Sequence, residues 1–263
     1  MRSALKTLDL PSRMNVLGTG ISVMNMDEAV RRSDALLRAQ KRGYICVCDV
    51  HSVMEGLRDA AFRKILNGSL MTTADGMPLV WAGRLRKQPI GRVYGPDFLL
   101  AMCHLSVTRR YRHFFYGGKP GVAERLVDRL AERFPGLQIS GTFTPPFASL
   151  TRAEEGELTT LVEESKPDLF WVGLGSPKQE RFMAQYSDKL ACTLMVGVGA
   201  AFDFHSGTVK EAPRWLHNTG LQWAYRVMQE PRRLGKRYLR CIPAFAWNIG
   251  LEAAGIRQFN MET

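Results

Sequence analysis

Six short apolar runs, at 44–48, 70–73, 113–116, 137–142, 169–173 and 194–198, alternate with longer stretches of helical pattern, and this alternation constrains the chain more than any other feature. Runs of that length suit strands buried on both faces, and a helix between them carries the chain back across a parallel sheet. The helical pattern is clearest at 121–134, where Val122, Leu126, Leu130 and Phe134 recur every four residues opposite Glu124, Arg125, Asp128 and Arg129. Helix starts are marked as well: Pro120, Pro177 and Pro231 each suit a first turn, and Thr151 followed by Glu154 predicts a capping box. The expected fold is α/β, a parallel sheet core with crossover helices.

Two of the runs end in glycine pairs, Gly173-Leu174-Gly175 and Gly197-Val198-Gly199, and a third continues into Gly117-Gly118-Lys119-Pro120-Gly121. In open α/β sheets, ligands bind beyond the carboxyl ends of the strands, where glycines let a phosphate reach backbone N–H groups that a Cβ would block. One such pair is as well explained by a tight turn; three at one predicted edge point to a binding crevice. Neither pair completes a G-x-G-x-x-G fingerprint, because Lys178 and Phe202 hold the third position, and the Gly117 loop lacks P-loop spacing. NAD-dependent and NTPase chemistry are disfavoured accordingly.

Asp75, within Thr72-Thr73-Ala74-Asp75-Gly76-Met77-Pro78, follows another run at the same predicted edge. A carboxylate there can serve as a general base over a bound ligand; its bland alternatives are a helix cap or an Asp-Gly turn. No D-x-D occurs, and His51, His104, His113, His205 and His217 have no metal-ligand spacing. Neither metal nor cofactor is expected, so backbone N–H groups, Lys and Arg would have to meet the charge of a diphosphate.

The chain carries a formal charge of +11, which calls for an acidic partner: nucleic acid, anionic lipid or a phosphorylated substrate. From residue 204 onward nine Lys/Arg stand against four Asp/Glu, so much of the surplus lies in the tail. A core over 1–207 and a basic helical appendage over 208–263 are expected, with helices at 214–230 and 231–242 and a break at Pro243. Arg233, Lys236, Arg237 and Arg240 share one helical face, and Ile242, Phe245, Trp247 and Ile249 follow as anchors, the combination an interfacial membrane helix needs. The five cysteines form no C-x-x-C, residues 1–13 have no signal-peptide core, and the uncharged stretch 241–251 is far shorter than the roughly 20 residues of a membrane span. A cytoplasmic protein in peripheral contact with a membrane is expected. The rival is a basic nucleic-acid-binding α/β protein, but the chain has no recognition-helix, RNP or zinc pattern.

Six blocks in order carry a more specific signal: Ala74-Asp75-Gly76-Met77-Pro78-Leu79-Val80, Phe115-Tyr116-Gly117-Gly118-Lys119-Pro120-Gly121, Gly175-Ser176-Pro177-Lys178-Gln179-Glu180, Gly197-Val198-Gly199-Ala200-Ala201-Phe202-Asp203, Lys210-Glu211-Ala212-Pro213-Arg214-Trp215 and Gln229-Glu230-Pro231-Arg232-Arg233. Together they resemble the WecG/TagA/CpsF family of bacterial glycosyltransferases, over roughly 17–240. The resemblance implies a Rossmann-like core with a C-terminal membrane-associating appendage. It also implies a metal-independent, inverting transfer of a hexosyl unit from a UDP-sugar to a polyprenyl-diphosphate-linked sugar, at the cytoplasmic face of the membrane. By resemblance Asp75 is the base and Gln179 lies in the active site near the donor; Gly117, Gly118, Lys119, Gly175 and Asp203 surround the UDP. The acceptor and its diphosphate would meet Thr73, His51, Arg226 and Arg233, with Lys236 or Arg237 as a further cation. Members carry an Asn-containing motif after the strand that here ends Cys48-Asp49-Val50-His51, leaving Asp49 or His51 for that polar role. The donor sugar (glucose, N-acetylmannosamine or its uronic acid), the polysaccharide pathway and any homo-oligomer are left open by these motifs.

Overall fold

The computed structural model describes residues 10–146, 150–217 and 219–261, with Arg233 described in its backbone alone. The chain opens with a hairpin, β1 (Arg13–Val16) and β2 (Thr19–Ser22), turned at Leu17 and Gly18 with φ values of 52° and 86°, the two positive values a type I′ turn requires. Next come α1 (Met26–Arg38), β3 (Gly43–Cys48), α2 (Val50–Arg58), α3 (Ala60–Gly68), β4 (Met71–Ala74), α4 (Met77–Leu85) and α5 (Gly95–Arg109). The alternation is then regular: β5 (Arg112–Gly117), α6 (Val122–Arg133), β6 (Gln138–Phe143), α7 (Arg152–Ser165), β7 (Leu169–Gly173), α8 (Lys178–Tyr186), β8 (Leu194–Gly197) and α9 (Ala201–His205). A 3-10 turn (Arg214–Leu216), α10 (Gln222–Gln229) and α11 (Pro231–Ala253) follow.

The strands β3 to β8 make one six-stranded parallel sheet in the order β4-β3-β8-β7-β5-β6, flanked by helices. Its strands are the six apolar runs, and they are buried on both sides because successive side chains serve opposite faces. Leu169 and Trp171 pack with Leu36, Phe98, Met102 and Leu126, from α1, α5 and α6. Phe170 and Val172 pack with Phe62, Leu158 and Phe182, from α3, α7 and α8. The capping box at Thr151 and Glu154 is formed, each side chain bonded to the other's backbone N–H.

A third cluster lies at the β4 edge of the sheet, where Val16 and Ile21 of the hairpin, Val53 of α2 and Leu79 and Val80 of α4 meet Cys241 and Phe245 of α11. Two expectations for the tail change here. The helix does not stop at Pro243 but runs to Ala253, because Cys241 and Phe245, on either side of the proline, are held in the same cluster and offset the one lost backbone bond. Phe245 is therefore core, not an exposed anchor; the exposed apolar residues of α11 are Leu239 and Trp247. Nor is 214–230 one helix: Gly220 takes a φ of 74°, and the Thr219 hydroxyl accepts the Leu221 N–H, so the helical ladder restarts at Gln222.

Candidate active site

Strand register sets the site. Cys48 pairs with Ala74, Cys46 with Gly197 and Val172 with Gly197, so β4, β3, β8 and β7 end side by side and deliver Asp75, Asp49, Gly199 and Gly175 to one edge. Two clefts open there. The first is walled by Gly173, Gly175, Ser176 and Gly199 from the loops after β7 and β8, together with Asp203 and Arg237. The second is walled by Met77 and Pro78 of α4, Trp223 of α10, and Tyr238 and Ile242 of α11. Asp49, Asp75, Tyr94 and Arg226 line both.

Asp75 stands where the clefts join. It does not cap α4, whose N-cap position is Gly76; its Oδ1 instead accepts the Gly95 N–H at 3.2 Å. Burial pushes its carboxyl up to about 6, with a further rise from Asp49, while Arg92, the Gly95 N–H and Arg226 pull it down. The Arg92 guanidinium is pinned by the Asp75 carbonyl, the His217 carbonyl at 2.7 Å and Gln222, and its Nη2 lies 3.9 Å from Asp75 Oδ1. Gln222 in turn donates to the Tyr94 hydroxyl at 2.8 Å, and Arg92 stacks 4.2 Å above the Tyr94 ring.

Asp49 caps α2. Its Oδ1 accepts the Ser52 N–H at 2.8 Å and the Ser52 hydroxyl at 2.9 Å, and its Oδ2 pairs with Arg237 at 3.2 Å. Burial opposes its ionisation, but Arg237, His51 and the Ser52 bonds outweigh that and hold the carboxyl below its usual range. Of Asp49 and His51, Asp49 lines both clefts, whereas the His51 ring turns to Cys241 Sγ at 3.6 Å.

Gln179, buried on α8, ties the glycine loops together: its Oε1 accepts the Gly175 N–H at 3.1 Å and the Gly199 N–H at 3.0 Å. The amide is oriented by Glu180, which accepts from Gln179 Nε2 at 2.9 Å. Glu180 is fully buried, and burial pushes its carboxyl up to about 7.

The sequence-predicted set thus divides. Asp75, Gln179, Gly175, Asp203, Arg226 and Arg237 converge on the clefts. Gly117 and Gly118 sit one strand away, where a Cβ on Gly117 would lie 2.8 Å from the Gly173 carbonyl and Gly118 donates to that carbonyl at 3.1 Å; their glycines serve close backbone approach. Lys119 is exposed beside them, Thr73 is buried within β4, and Lys236 is exposed on α11; none of these lines either cleft. The Arg233 side chain lies outside the described residues. Residues the motifs missed are Arg92, Tyr94, Trp223 and Tyr238, which reach the site from irregular segments and from helices far along the chain. Among the described residues, no three His, Cys, Asp or Glu side chains converge as a metal site requires.

Asp75 stands beside a glycine-lined crevice, and a comparison with known proteins decides the family. The sequence pattern of the Glycosyl transferase WecG/TagA/CpsF family matches residues 14–258. The chain belongs to that family. Among its relatives is the N-acetylglucosaminyldiphosphoundecaprenol N-acetyl-beta-D-mannosaminyltransferase of Bacillus subtilis, 28% identical with 77% of each chain covered. The protein of the same name from Bacillus spizizenii is 27% identical over 75% of each chain. That of Staphylococcus aureus is 24% identical over 90% of this chain and 92% of its own. As a member of that family the protein is a glycosyltransferase, and no helix among the described residues is long and apolar enough to cross a membrane.

Proposed function

We propose that the protein moves a hexosyl unit from a UDP-sugar, bound in the glycine cleft, to a sugar on polyprenyl diphosphate, bound in the aromatic cleft. The observation that carries this is the position of Asp75 at the junction of the two, with a carboxyl raised to about 6. A base so placed accepts the proton of the acceptor hydroxyl as that oxygen attacks the anomeric carbon from the face opposite the departing UDP, which inverts the centre. Charge growing on the diphosphate is met by N–H groups of the Gly175 and Gly199 loops and by Arg226 and Arg237, without a metal ion. Gln179 fixes those loops, and Asp203, which lines the same cleft, would meet the nucleoside end. The relatives' names favour N-acetylmannosamine as the sugar moved, ahead of its uronic acid or glucose.

The appendage over 208–263 completes this site: Arg226 of α10 and Arg237 of α11 reach into it, while Arg232, Lys236, Leu239, Arg240 and Trp247 are exposed on α11. Cations beside an exposed Leu and Trp support peripheral attachment to the inner face of the membrane, at about 1 kcal/mol per cation. The deciding experiment is transfer to a short-chain lipid-linked GlcNAc from a panel of UDP-sugars, with EDTA present. Asp75→Asn should lower turnover roughly 100-fold or more while UDP binding survives. Near-normal turnover in the folded variant, or loss of activity on chelation, contradicts the mechanism.

A further inference from the structure

A surface outside both clefts has no role so far. Helix α4 starts at the site, since Asp75 immediately precedes it and Met77 and Pro78 line the aromatic cleft. Its nine residues carry the chain about 13 Å outward, at ~1.5 Å per residue. On its outer face Trp81 is 44% exposed and Leu85, one turn on, is 83% exposed. Arg84 and Lys87 are exposed beside them, and Arg86 is engaged by Glu252 of α11. From Gly76 to Pro96 the chain contains no acidic residue.

Trp81 packs against Gly220, where a Cβ would fall within 2.3 Å of its ring, and the neighbouring Leu221 is 52% exposed. Gly220 itself lines the aromatic cleft. Exposed apolar side chains from two distant segments therefore gather at the rim of that cleft. An exposed Trp and Leu one turn apart would be buried by any apolar partner, but the surrounding cations without acids select an anionic one. Trp at the headgroup level, Leu among the acyl chains and Arg or Lys at the phosphates is the arrangement of an interfacial helix.

We infer that the outer end of α4, through Trp81, Arg84, Leu85 and Lys87, docks on the surface of an anionic lipid bilayer and sets the mouth of the aromatic cleft against it. The two helices are linked at two points here, with Ile242 of α11 lining the same cleft as Met77 and Glu252 pairing with Arg86. Contact through α4 as well as α11 fixes the orientation of the site, where α11 alone would leave the molecule free to roll about one axis. The inference rests on the proposed function only for the reason an enzyme would face its cleft to the membrane.

The experiment uses the full chain. Because all five cysteines are buried, a cysteine introduced by Leu85→Cys can be labelled selectively with an environment-sensitive fluorophore, and Glu164→Cys on α7 serves as the control. With phosphatidylcholine vesicles containing about a third phosphatidylglycerol, the probe at 85 should shift to the blue and be quenched by spin-labelled acyl chains, while the probe at 164 stays aqueous. Leu85→Ser combined with Lys87→Glu should weaken vesicle binding about tenfold or more and leave turnover on a short-chain, water-soluble acceptor unchanged. An aqueous signal at 85 on vesicle-bound protein, or unweakened binding by the double variant, overturns the inference. So does a lipid-free blue shift at 85 that tracks dimerisation in sedimentation, which would assign the surface to a second copy. Absence of transfer by the unaltered protein to the soluble acceptor would instead count against the proposed donor and acceptor, and the fluorescence result is read independently of it.

Discussion

The two clefts that meet at Asp75 are built from different material. One wall of the glycine cleft is main chain, the loops after strands β7 and β8, laced by one side chain, Gln179, through the N–H groups of Gly175 and Gly199. The aromatic cleft is side chain, with Trp223, Tyr238 and Ile242 supplied by α10 and α11 against Met77 and Pro78. Rigid, close-packed strands suit a fixed set of donors for a phosphate, whereas a wall carried on the last two helices depends on their docking. Catalysis would then have a pre-formed half and a half completed by the tail.

Substitutions that hit one cleft alone test this division. The largest effect after loss of the base is expected from Gln179→Ala, which takes the shared acceptor from two part-buried N–H groups and unties both loops, at about 1 kcal/mol for each bond. UDP affinity by calorimetry should fall about 30-fold while the acceptor KM holds, and equal damage to both would show that the clefts are not independent. Trp223→Ala should do the reverse and more weakly, raising the acceptor KM roughly five- to tenfold with UDP affinity intact, on the loss of about 1 kcal/mol of ring contact. The smallest effect is on the residue they share. Asp75 must be ionised to accept a proton, so kcat/KM should rise with pH up to about 6 and then level. Arg92→Met removes a cation that pulls the Asp75 carboxyl down, so the rising limb should move to higher pH. A limb that stayed in place would assign it to another group.

Of the fold, the sheet was legible because its strands are short uninterrupted apolar runs, Leu169 to Gly173 being the clearest. The hairpin was not, since β1 and β2 are four residues each and are packed by residues far along the chain, such as Val53, Leu79 and Phe245. Pro243 misled for a related reason: local propensity predicts a break, and burial of Cys241 and Phe245 overrides it. In the candidate site, Asp75 and Gly175, close behind strand ends, are legible in sequence and line the clefts. Arg92 is not. It arrives through an irregular segment with no periodicity and is positioned by carbonyls of Asp75 and His217, which leave no trace in the pattern of side chains. Conversely, Gly117 and Gly118 look in sequence like Gly173 and Gly175, and only the register of β5 against β7 shows that they make room for another strand's backbone.

The ion pair between Asp49 and Arg237 has a consequence for selectivity. Across the joined clefts, Asp49, Asp75 and Asp203 stand with Arg92, Arg226 and Arg237, three acids with three bases, so a chain of net charge +11 has a resting vestibule close to electroneutral. The long-range field that draws polyanions to the protein is therefore not focused on its working centre. A phosphate would reach Arg237 only by taking it from Asp49, an exchange of partners that would reward a compact dianion able to hold two cations at once and give little to a diffuse polyanion.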